Sequence, residues 1–493
     1  MKKGLVAAAV VLVVLAGAAA AGLPLAERYF ADSIKVQIDR DGVVSVGAVE
    51  VGLLDRRITV RDMRSREIGG MSAARWQVTG LSWPLAEILK GHTPLMGFRL
   101  GDPFQATRIE VDGLRLDNAL GQSWRFGSVV AEGVDLQSFD AAIAPGPFQP
   151  AILGARVVQA LSLHRIEERD AIYIEPFTQD TIGFKSLTAD TVEHGRLGSF
   201  ALANFEATGK AAAEPAFSMA SLKGEGLDLR QILKAISEPS FRAGQPIGHL
   251  GIDKATATGF GGELLARFGL SLGSVSVEVR RDSPGVAHST SRVDGFVMVP
   301  PMKGVEGLQA RMVMQAMGLK ELRLALDCGG TENRGKGEVE IERCALSGPD
   351  LGELNFTAKL VGADAAFWRA IDGGNIVSIY SSEAALADAT LSLADKGLLD
   401  RGMRAIAAAS GQAPAATRAN MAAEIRRYQP PNVLITDDMT RLLETVAGFV
   451  ERGGTLTLEA RPDPPFGIAR IGSMRQPGPD LVSLLGLTAK VSK

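Results

Sequence analysis

Apolar and polar residues alternate along most of the chain, in short runs separated by glycines and other turn residues. Alternation with a period of two indicates β-strands with one buried face, and it runs from Ile34 to near residue 390. Beyond that point the apolar spacing lengthens to three and four residues, which predicts helices over 396–409, 413–428 and 438–452. We therefore predict an α+β fold that is predominantly β, with an elongated antiparallel β-rich body, short helices and a C-terminal helical segment.

A local motif recurs in the first half of the body. Apolar residues at alternate positions flank a residue–glycine pair, and the copies centre on Gly80, Gly113, Gly133 and Gly226. In each copy the apolar positions change parity across the glycine: they switch from odd-numbered to even-numbered residues, or the reverse. A strand with one buried face cannot make this switch without a local irregularity. A glycine β-bulge and a two-residue hairpin turn both produce this change. We favour the bulge, because it needs one left-handed residue rather than two, with Asp112-Gly113 as the best candidate for a hairpin.

The N-terminus carries a long uncharged segment. Lys2 and Lys3 precede residues 4–26, which hold no charged side chain and are long enough to cross a hydrocarbon core as a helix. The basic flank predicts a cytoplasmic N-terminus, and hence a single-pass protein of the bacterial inner membrane with a periplasmic body. One alternative is a cleaved signal peptide, with its apolar region at 5–15 and a small-residue cleavage site at 16–18 or 18–20. A second alternative is a buried N-terminal helix of a soluble protein. We favour the membrane anchor because the uncharged run continues to residue 26.

These patterns divide the chain into four regions. Residues 1–33 form the anchor or signal sequence, and residues 34–245 form a β-rich, repeat-like region. A second β-rich region follows over 246–390, and residues 391–493 form a mixed helical and β region.

Composition excludes several classes of protein. Lys and Arg number 53 against 56 Asp and Glu, and no basic block stands out, so we predict no nucleic-acid partner. A hydrophobic fraction of 46% with 22% charged residues excludes wholesale disorder. Two cysteines and five scattered histidines offer little for a metal site.

No catalytic constellation is visible in the sequence. Gly330 to Lys336 has the spacing of a phosphate-binding loop, but Gly337 replaces the required Ser or Thr. Strand-like runs flank this segment on both sides, which predicts a hairpin turn instead. One Gly-x-Ser-x-Gly match occurs, from Gly269 to Gly273, but strand-like runs flank it on both sides, whereas the nucleophile of a serine hydrolase lies between a strand and a helix. We therefore predict a protein that is not an enzyme, with no catalytic, cofactor-binding or metal-binding residues.

Cys328 and Cys344 flank this predicted turn and form a candidate disulfide. Leu326 places Cys328 on an apolar strand face, whereas Ile341 places Cys344 on the opposite face. A bulge near Glu342 and Arg343 would bring both cysteines to the same face. The alternative is a pair of buried free thiols.

The basic dipeptide, the uncharged segment and the glycine motifs together resemble the AsmA-like group of bacterial envelope proteins, over roughly residues 1–230. The resemblance implies a role in outer-membrane homeostasis and lipid movement along a long curved sheet with an apolar inner face. It assigns no individual functional residue, because the group has no catalytic motif to match.

These features predict a non-enzymatic, membrane-anchored periplasmic protein that contributes to cell-envelope integrity. Its expected activity is the binding or conveying of lipid, such as phospholipid, on an apolar β surface. The candidate groove residues are Trp83, Leu114, Leu116, Val134 and Leu136. The alternative is a structural scaffold that docks an envelope protein through its C-terminal helices.

Overall fold

The computed structural model describes residues 23–493 except for 41, 43, 66–69, 83–98, 100, 118–121, 144–148, 211, 213, 239, 242–249, 302–304, 374–375, 430–434 and 471–480. The chain forms two compact units. The first unit comprises Met1–Pro215 and Glu225–Gln245, and the second comprises Ala216–Gly224 and Pro246–Lys493. As predicted, the fold is mostly antiparallel β-sheet with several helices.

The first unit is built on an antiparallel meander. Its strands are β1 Val44–Ser45, β2 Ala48–Gly52, β3 Arg57–Ser65, β4 Ser72–Thr79, β5 Phe104–Asp117, β6 Ser123–Leu136, β7 Leu161–Ile174, β8 Thr181–Glu193 and β9 Arg196–Thr208. Both β1 and β2 pair with β3, and from β3 to β9 each strand pairs with the next along the chain. A tenth strand, β10 Phe217–Asp228, has residues in both units.

Among the described residues, three helices accompany the first sheet: α1 over residues 23–39, α2 Gln149–Ala160 and α3 Arg230–Ser237. Helix α1 buries Phe30 and Ile34 in a core with Val51, Ile58 and Val60 of β2 and β3. The expectation of a strand starting at Ile34 is wrong, because the apolar residues there recur every four positions. Val36, the residue that suggested alternation, is 68% exposed.

The structure also contradicts the predicted membrane anchor. Residues 4–22 of the predicted span, together with the alternative cleavage site, lie outside the described residues. From residue 23 the chain forms α1, which carries five charged residues: Glu27, Arg28, Asp32, Lys35 and Asp39. In the described part of the chain no helix is long and apolar enough to cross a membrane. The predicted transmembrane helix and the single-pass localisation in the inner membrane are therefore wrong for the described residues.

The second unit has an antiparallel sheet and most of the helices. Its strands are β11 Lys254–Gly261, β12 Leu270–Ser271, β13 Ser274–Ser283, β14 Val286–Met298, β15 Leu322–Asn333, β16 Glu338–Gly348, β17 Gly352–Val361, β18 Ala385–Asp395, β19 Thr455–Ala460, β20 Phe466–Gly467 and β21 Leu487–Ser492. From β13 to β19 each strand pairs with the next, and β21 pairs with β19. Strands β15 and β16 form a hairpin that closes between Asn333 and Glu338, which confirms the turn predicted in place of a phosphate loop.

The helices for which the structure gives bounds in the second unit are α4 Glu263–Arg267, α5 Val305–Ala316, α6 Ala365–Asp372, α7 Leu398–Ser410, α8 Pro414–Arg427, α9 Asp437–Arg452 and α10 Leu481–Leu484, with a 3₁₀ helix at Ile376–Ser381. Helices α7, α8 and α9 confirm the three helices predicted after residue 390. They share a core of Met403, Ala422, Ala447 and Val450. Thr436 accepts a hydrogen bond from the Met439 amide at the start of α9, and Gly453 ends the helix.

The glycine motifs of the first unit are irregularities inside strands. Gly113 and Gly133 lie within β5 and β6 and have φ of 61° and 63°, so the hairpin alternative is wrong. The register is nevertheless unbroken, since Ala106 pairs with Val134 and Arg108 pairs with Glu132. Each strand therefore changes parity opposite its neighbour. The favoured prediction of a β-bulge is also wrong at these two glycines, because a bulge places two residues of one strand opposite one residue of the other.

The changes of parity cross the sheet as two lines. The first, which we call the parity row, is Thr107, Gly133, His164, Thr191 and Gly198. The second lies six residues further along β5, and its members are Gly113, Gly127, Asp170, Lys185 and Asn204. These residues lie opposite one another on β5 to β9, between strand segments whose register is continuous. Because every strand flips at the same level, the apolar residues on both sides of the row share one face of the sheet. The sheet therefore has an uninterrupted apolar face.

Candidate functional site

The apolar face of the first sheet is the main candidate site. Above the parity row, two rows of opposing residues cross strands β5 to β9. The first row is Ile109, Ala131, Ile166, Ala189 and Phe200. The second row is Val111, Val129, Glu168, Leu187 and Leu202. Trp76 and Val78 extend the two rows onto β4, where they oppose Val111 and Ile109.

Burial falls from one end of this face to the other. Below the parity row, Val134, Leu163 and Val192 are between 4% and 6% exposed and form a core cluster with Ala189. At the opposite end of the strands Trp124 is 43% exposed and Ile182 is 42% exposed. The rows between them are mostly half-buried. The most exposed apolar side chains of the face therefore lie at its aromatic end.

An aromatic group occupies the exposed end. Trp124 of β6 opposes Leu116 on β5 and Tyr173 on β7, and Tyr173 opposes Ile182 on β8. The ring centroids of Trp124 and Tyr173 are 4.6 Å apart, and those of Trp124 and Phe126 are 6.4 Å apart with nearly parallel planes. Gln122 donates a hydrogen bond of 2.9 Å from Nε2 to the Tyr173 hydroxyl. These flat rings form an apolar platform with one polar group at its edge.

The opposite face of the same strands carries a lattice of ion pairs. One row across β5 to β8 alternates in charge: Arg108, Glu132, Arg165 and Asp190. Arg108 pairs with Glu132, and Arg165 Nη1 lies 3.2 Å from Asp190 Oδ1. A hydrogen bond to Glu110 raises the pKa of Arg108 further. Because these arginines have carboxylates within reach, this face is largely self-neutralised and holds little unmatched charge for an ionic ligand.

Glu168 is the single charged residue in the two apolar rows. Its neighbours across the strands are Val129 and Leu187, and Ile166 precedes it on the same face of β7. Within the described residues, no hydrogen bond or ion pair reaches its carboxylate. Burial against this surface raises the pKa of Glu168. The apolar face thus carries one unpaired acid near its middle.

Four of the five predicted groove residues lie on this face. Val134 and Leu136 belong to β6 below the parity row, whereas Leu114 and Leu116 belong to β5 at the exposed end. Val134 opposes Ala106, eight residues from Leu114, so the two pairs are roughly 26 Å apart along the strands. Trp83 lies outside the described residues. The structure thus places these residues at opposite ends of one long face.

The residues that distinguish the face are not among the predicted groove residues, although the sequence contains a signal for them. Trp124 and Phe126 alternate with polar residues, and Glu168 shares its parity with Ile166. Arg165, Glu167 and Arg169 occupy the opposite parity. Following this alternation through β7 would have placed one acid among the apolar positions.

In the second unit, Cys328 and Cys344 are joined by a disulfide bond across β15 and β16. The register steps from the pair Gly329–Arg343 to the pair Gly330–Ile341, which leaves Glu342 as an extra residue. This confirms the predicted bulge at Glu342. Among the described residues, no group of three or more His, Cys, Asp or Glu could hold a metal ion.

A protein-family model described as "Uncharacterized protein" matches residues 345–492 of the chain. No curated protein matches the chain. The matched stretch is less than half of the 493 residues and lies within the second unit, which contains the C-terminal helices. The apolar face of the first unit lies outside it, so its function rests on its geometry.

Proposed function

We propose that the apolar face of the first unit binds the hydrocarbon chain of an amphiphilic lipid. The observation that carries this proposal is a continuous apolar face that stays open to solvent at its aromatic end, where Trp124 and Ile182 are more than 40% exposed. A hydrocarbon chain laid along these strands would remove apolar surface from water on both partners. Each buried methylene contributes about 0.8 kcal/mol to such binding.

Two further features support a lipid over a polar ligand. The charges of the opposite face are largely paired with one another, as in the pairs of Arg75 with Asp112 and of Arg165 with Asp190. The aromatic platform at Trp124 and Tyr173 presents ring faces that suit contact with hydrocarbon. The resemblance to AsmA-like proteins is in keeping with this proposal.

The test is isothermal titration of the whole protein with decanol, an uncharged amphiphile, kept below its solubility limit. Ile182 and Ile172 provide a matched pair of substitutions, since they are 42% and 43% exposed. Ile182 opposes Tyr173 on the apolar face, and Ile172, the neighbour of Tyr173, points to the other face.

We expect Ile182→Lys to abolish decanol binding and Ile172→Lys to leave it intact. A charge on the apolar face must be desolvated by the bound chain, whereas the same charge on the other face stays in water. Equal binding by both variants, or no binding by the wild-type protein, would contradict the proposal.

A groove in the second unit supports a second candidate function, the docking of an extended protein segment. The groove has a volume of about 660 Å³ and lies between α9 and β21. Five consecutive residues of β21, Leu487–Val491, line the groove. Successive side chains of a strand point to opposite sides of a sheet. Residues of both orientations line the groove, so it is the edge of the strand that faces it. Among the described strands β21 pairs with β19 alone, and an unpaired strand edge beside a helix suits the addition of a peptide strand.

To test this second function, peptides would be selected for binding to the wild-type protein and then titrated against the Leu442→Arg variant, in which the α9 wall of the groove is altered. We expect these peptides to bind the variant more weakly than the wild-type protein. Ile406→Arg on α7, at a position 42% exposed outside the groove, is the control and should bind normally. Binding that is unaffected by Leu442→Arg would exclude the groove as the docking site.

A further inference from the structure

We propose that the lipid held by the apolar face carries a cationic, hydrogen-bond-donating headgroup such as a protonated amine, and that the Glu168 carboxylate binds this headgroup. The inference rests on the proposed lipid-binding function and adds the chemical class of the ligand. The headgroup lies at the middle of β7, and the hydrocarbon tail runs toward the aromatic platform at Trp124 and Tyr173.

The Glu168 carboxylate is isolated from the charged residues of the sheet. Its cross-strand neighbours on β6 and β8 are Val129 and Leu187, and Ile166 flanks it on its own strand. The nearest arginines along the chain, Arg165 and Arg169, point to the other face, where they pair with Asp190 and Glu167. No cation of this face in the described strands therefore neutralises Glu168.

Covering the Glu168 carboxylate with hydrocarbon alone would cost free energy. A purely hydrocarbon ligand laid over Glu168 would either bury an ionised acid without a partner or force the acid to take up a proton, and both cost free energy. The raised pKa of Glu168 shows that partial burial already disfavours its charged form. A ligand amine converts this cost into a charge-assisted hydrogen bond.

The direction of the tail follows from the burial of the face. Below the parity row, Leu163 and Val192 are 4% and 6% exposed, and Ala189 beside Ile166 is 2% exposed, so the protein itself already covers that end. Toward the other end the strand continues for five residues from Glu168 to Tyr173, roughly 17 Å. Between these two residues the small Ala171 is 2% exposed, so the half-buried Phe184 opposite it on β8 carries the open surface there. The surface for a tail therefore begins at Glu168 and ends at the platform.

The test compares decylamine with decanol, which share a tail and differ in charge at neutral pH. Titrations use the full protein and two variants, Glu168→Gln and Glu167→Gln. Glu167 is the matched control because it is adjacent in sequence, points to the other face and accepts a hydrogen bond of 2.5 Å from Arg169. Either substitution changes the net charge of the protein by the same amount.

We expect the wild-type protein to bind decylamine roughly tenfold or more tightly than decanol. Glu168→Gln should bring this ratio close to one, and Glu167→Gln should leave it unchanged. Circular dichroism of both variants establishes that they are folded.

The outcomes separate the two proposals. If the wild-type protein binds decanol but shows no preference for decylamine, or if the preference persists in Glu168→Gln, the headgroup inference is overturned and lipid binding stands. If the wild-type protein does not bind decanol, the proposed lipid-binding function fails.

Discussion

Glu167 and Glu168 are adjacent acids with opposite environments, and the difference follows from strand geometry. Successive side chains of β7 point to opposite faces of the sheet, so Glu167 joins the ion pairs around Arg165 and Arg169. Glu168 instead lies between Val129 and Leu187. Burial raises the pKa of Glu168, which makes this residue a source of pH-dependent stability.

We predict that wild-type stability falls as pH rises through the raised pKa of Glu168. Protonation is favoured in the folded state, so the stabilising contribution is complete below the ordinary pKa of a glutamate and is lost above the folded-state value. Glu168→Gln cannot lose this proton. The variant should therefore match the wild-type protein in acid and have the higher free energy of unfolding at neutral pH.

Urea unfolding at several pH values measures this difference. Glu167→Gln, which removes an ion-pair partner of Arg169, should show no gain at neutral pH. A wild-type protein that is as stable at neutral pH as Glu168→Gln would show that the burial of Glu168 has no energetic consequence.

For single residues, the sequence predicts which face of the sheet a side chain lies on more readily than it predicts what that side chain does. Leu114, Leu116, Val134 and Leu136 were assigned to an apolar surface from alternation alone. The burial gradient that distinguishes Val134, 6% exposed, from the half-buried Leu116 depends on packing between distant strands. Alternation carries no information about that packing.

At the scale of elements, the parity row lets long strands keep one apolar face. Gly133 has a φ of +63°, and a Cβ added to it would lie 2.5 Å from His164 Nδ1. We predict that Gly133→Ala destabilises the first unit by about 2 kcal/mol, because the left-handed backbone alone costs roughly 1–2 kcal/mol for a residue with a side chain.

Gly154 in α2 is the matched control for this substitution. It has ordinary helical backbone, and a Cβ there would meet no heavy atom within 4 Å. Gly154→Ala should raise stability by up to about 1 kcal/mol, since alanine is the better helix former. Thermal unfolding of the two variants provides the comparison, and equal stability of both would contradict the role of Gly133.

The sequence predicted elements well where local signals agree with one another. Helices α7, α8 and α9 begin and end within two residues of their predicted bounds, because periodicity and flanking glycine or proline coincide there. Helix α1 was mistaken for strand at its C-terminal end, since Ile34, Val36 and Ile38 fit alternation while Phe30, Ile34 and Ile38 fit a helix. The contacts of α1 with β2 and β3 favour the helix.

At the scale of the whole molecule, the chain has two units with different sources of stability. The first unit depends on packing across a long sheet, whereas the second has in addition a disulfide between residues separated by 16 positions. A cross-link closing a loop of this length contributes about 3 kcal/mol. Reduction should therefore affect the second unit alone.

We predict that reductant accelerates hydrogen exchange in peptides from β15 to β17 and leaves peptides from β5 to β8 unchanged. Hydrogen exchange resolved by mass spectrometry reports the stability of each unit separately, whereas a single unfolding transition would report one value for the whole chain. The double variant Cys328→Ala with Cys344→Ala should exchange quickly with or without reductant. Uniform acceleration in both units would contradict independent stabilisation.

The division into units also shows what the sequence could not supply. The N-terminal uncharged run suggested a membrane protein, but no helix of the described residues is suited to cross a membrane. The alternating patterns indicated strands without showing which strands pair. The apolar face exists only because β5 to β9 pair in one register with the parity row aligned.

The central claim is that the apolar face of the first unit holds an amphiphile, and photocrosslinking tests it most directly. A decylamine analogue with a diazirine at the end of its tail would be irradiated with the protein, and the labelled peptides identified by mass spectrometry. We predict saturable labelling in β6, β7 and β8 around Trp124, Tyr173 and Ile182, lost in Ile182→Lys and retained in Ile172→Lys. Saturable labelling confined to the second unit, or labelling that does not saturate, would contradict the claim.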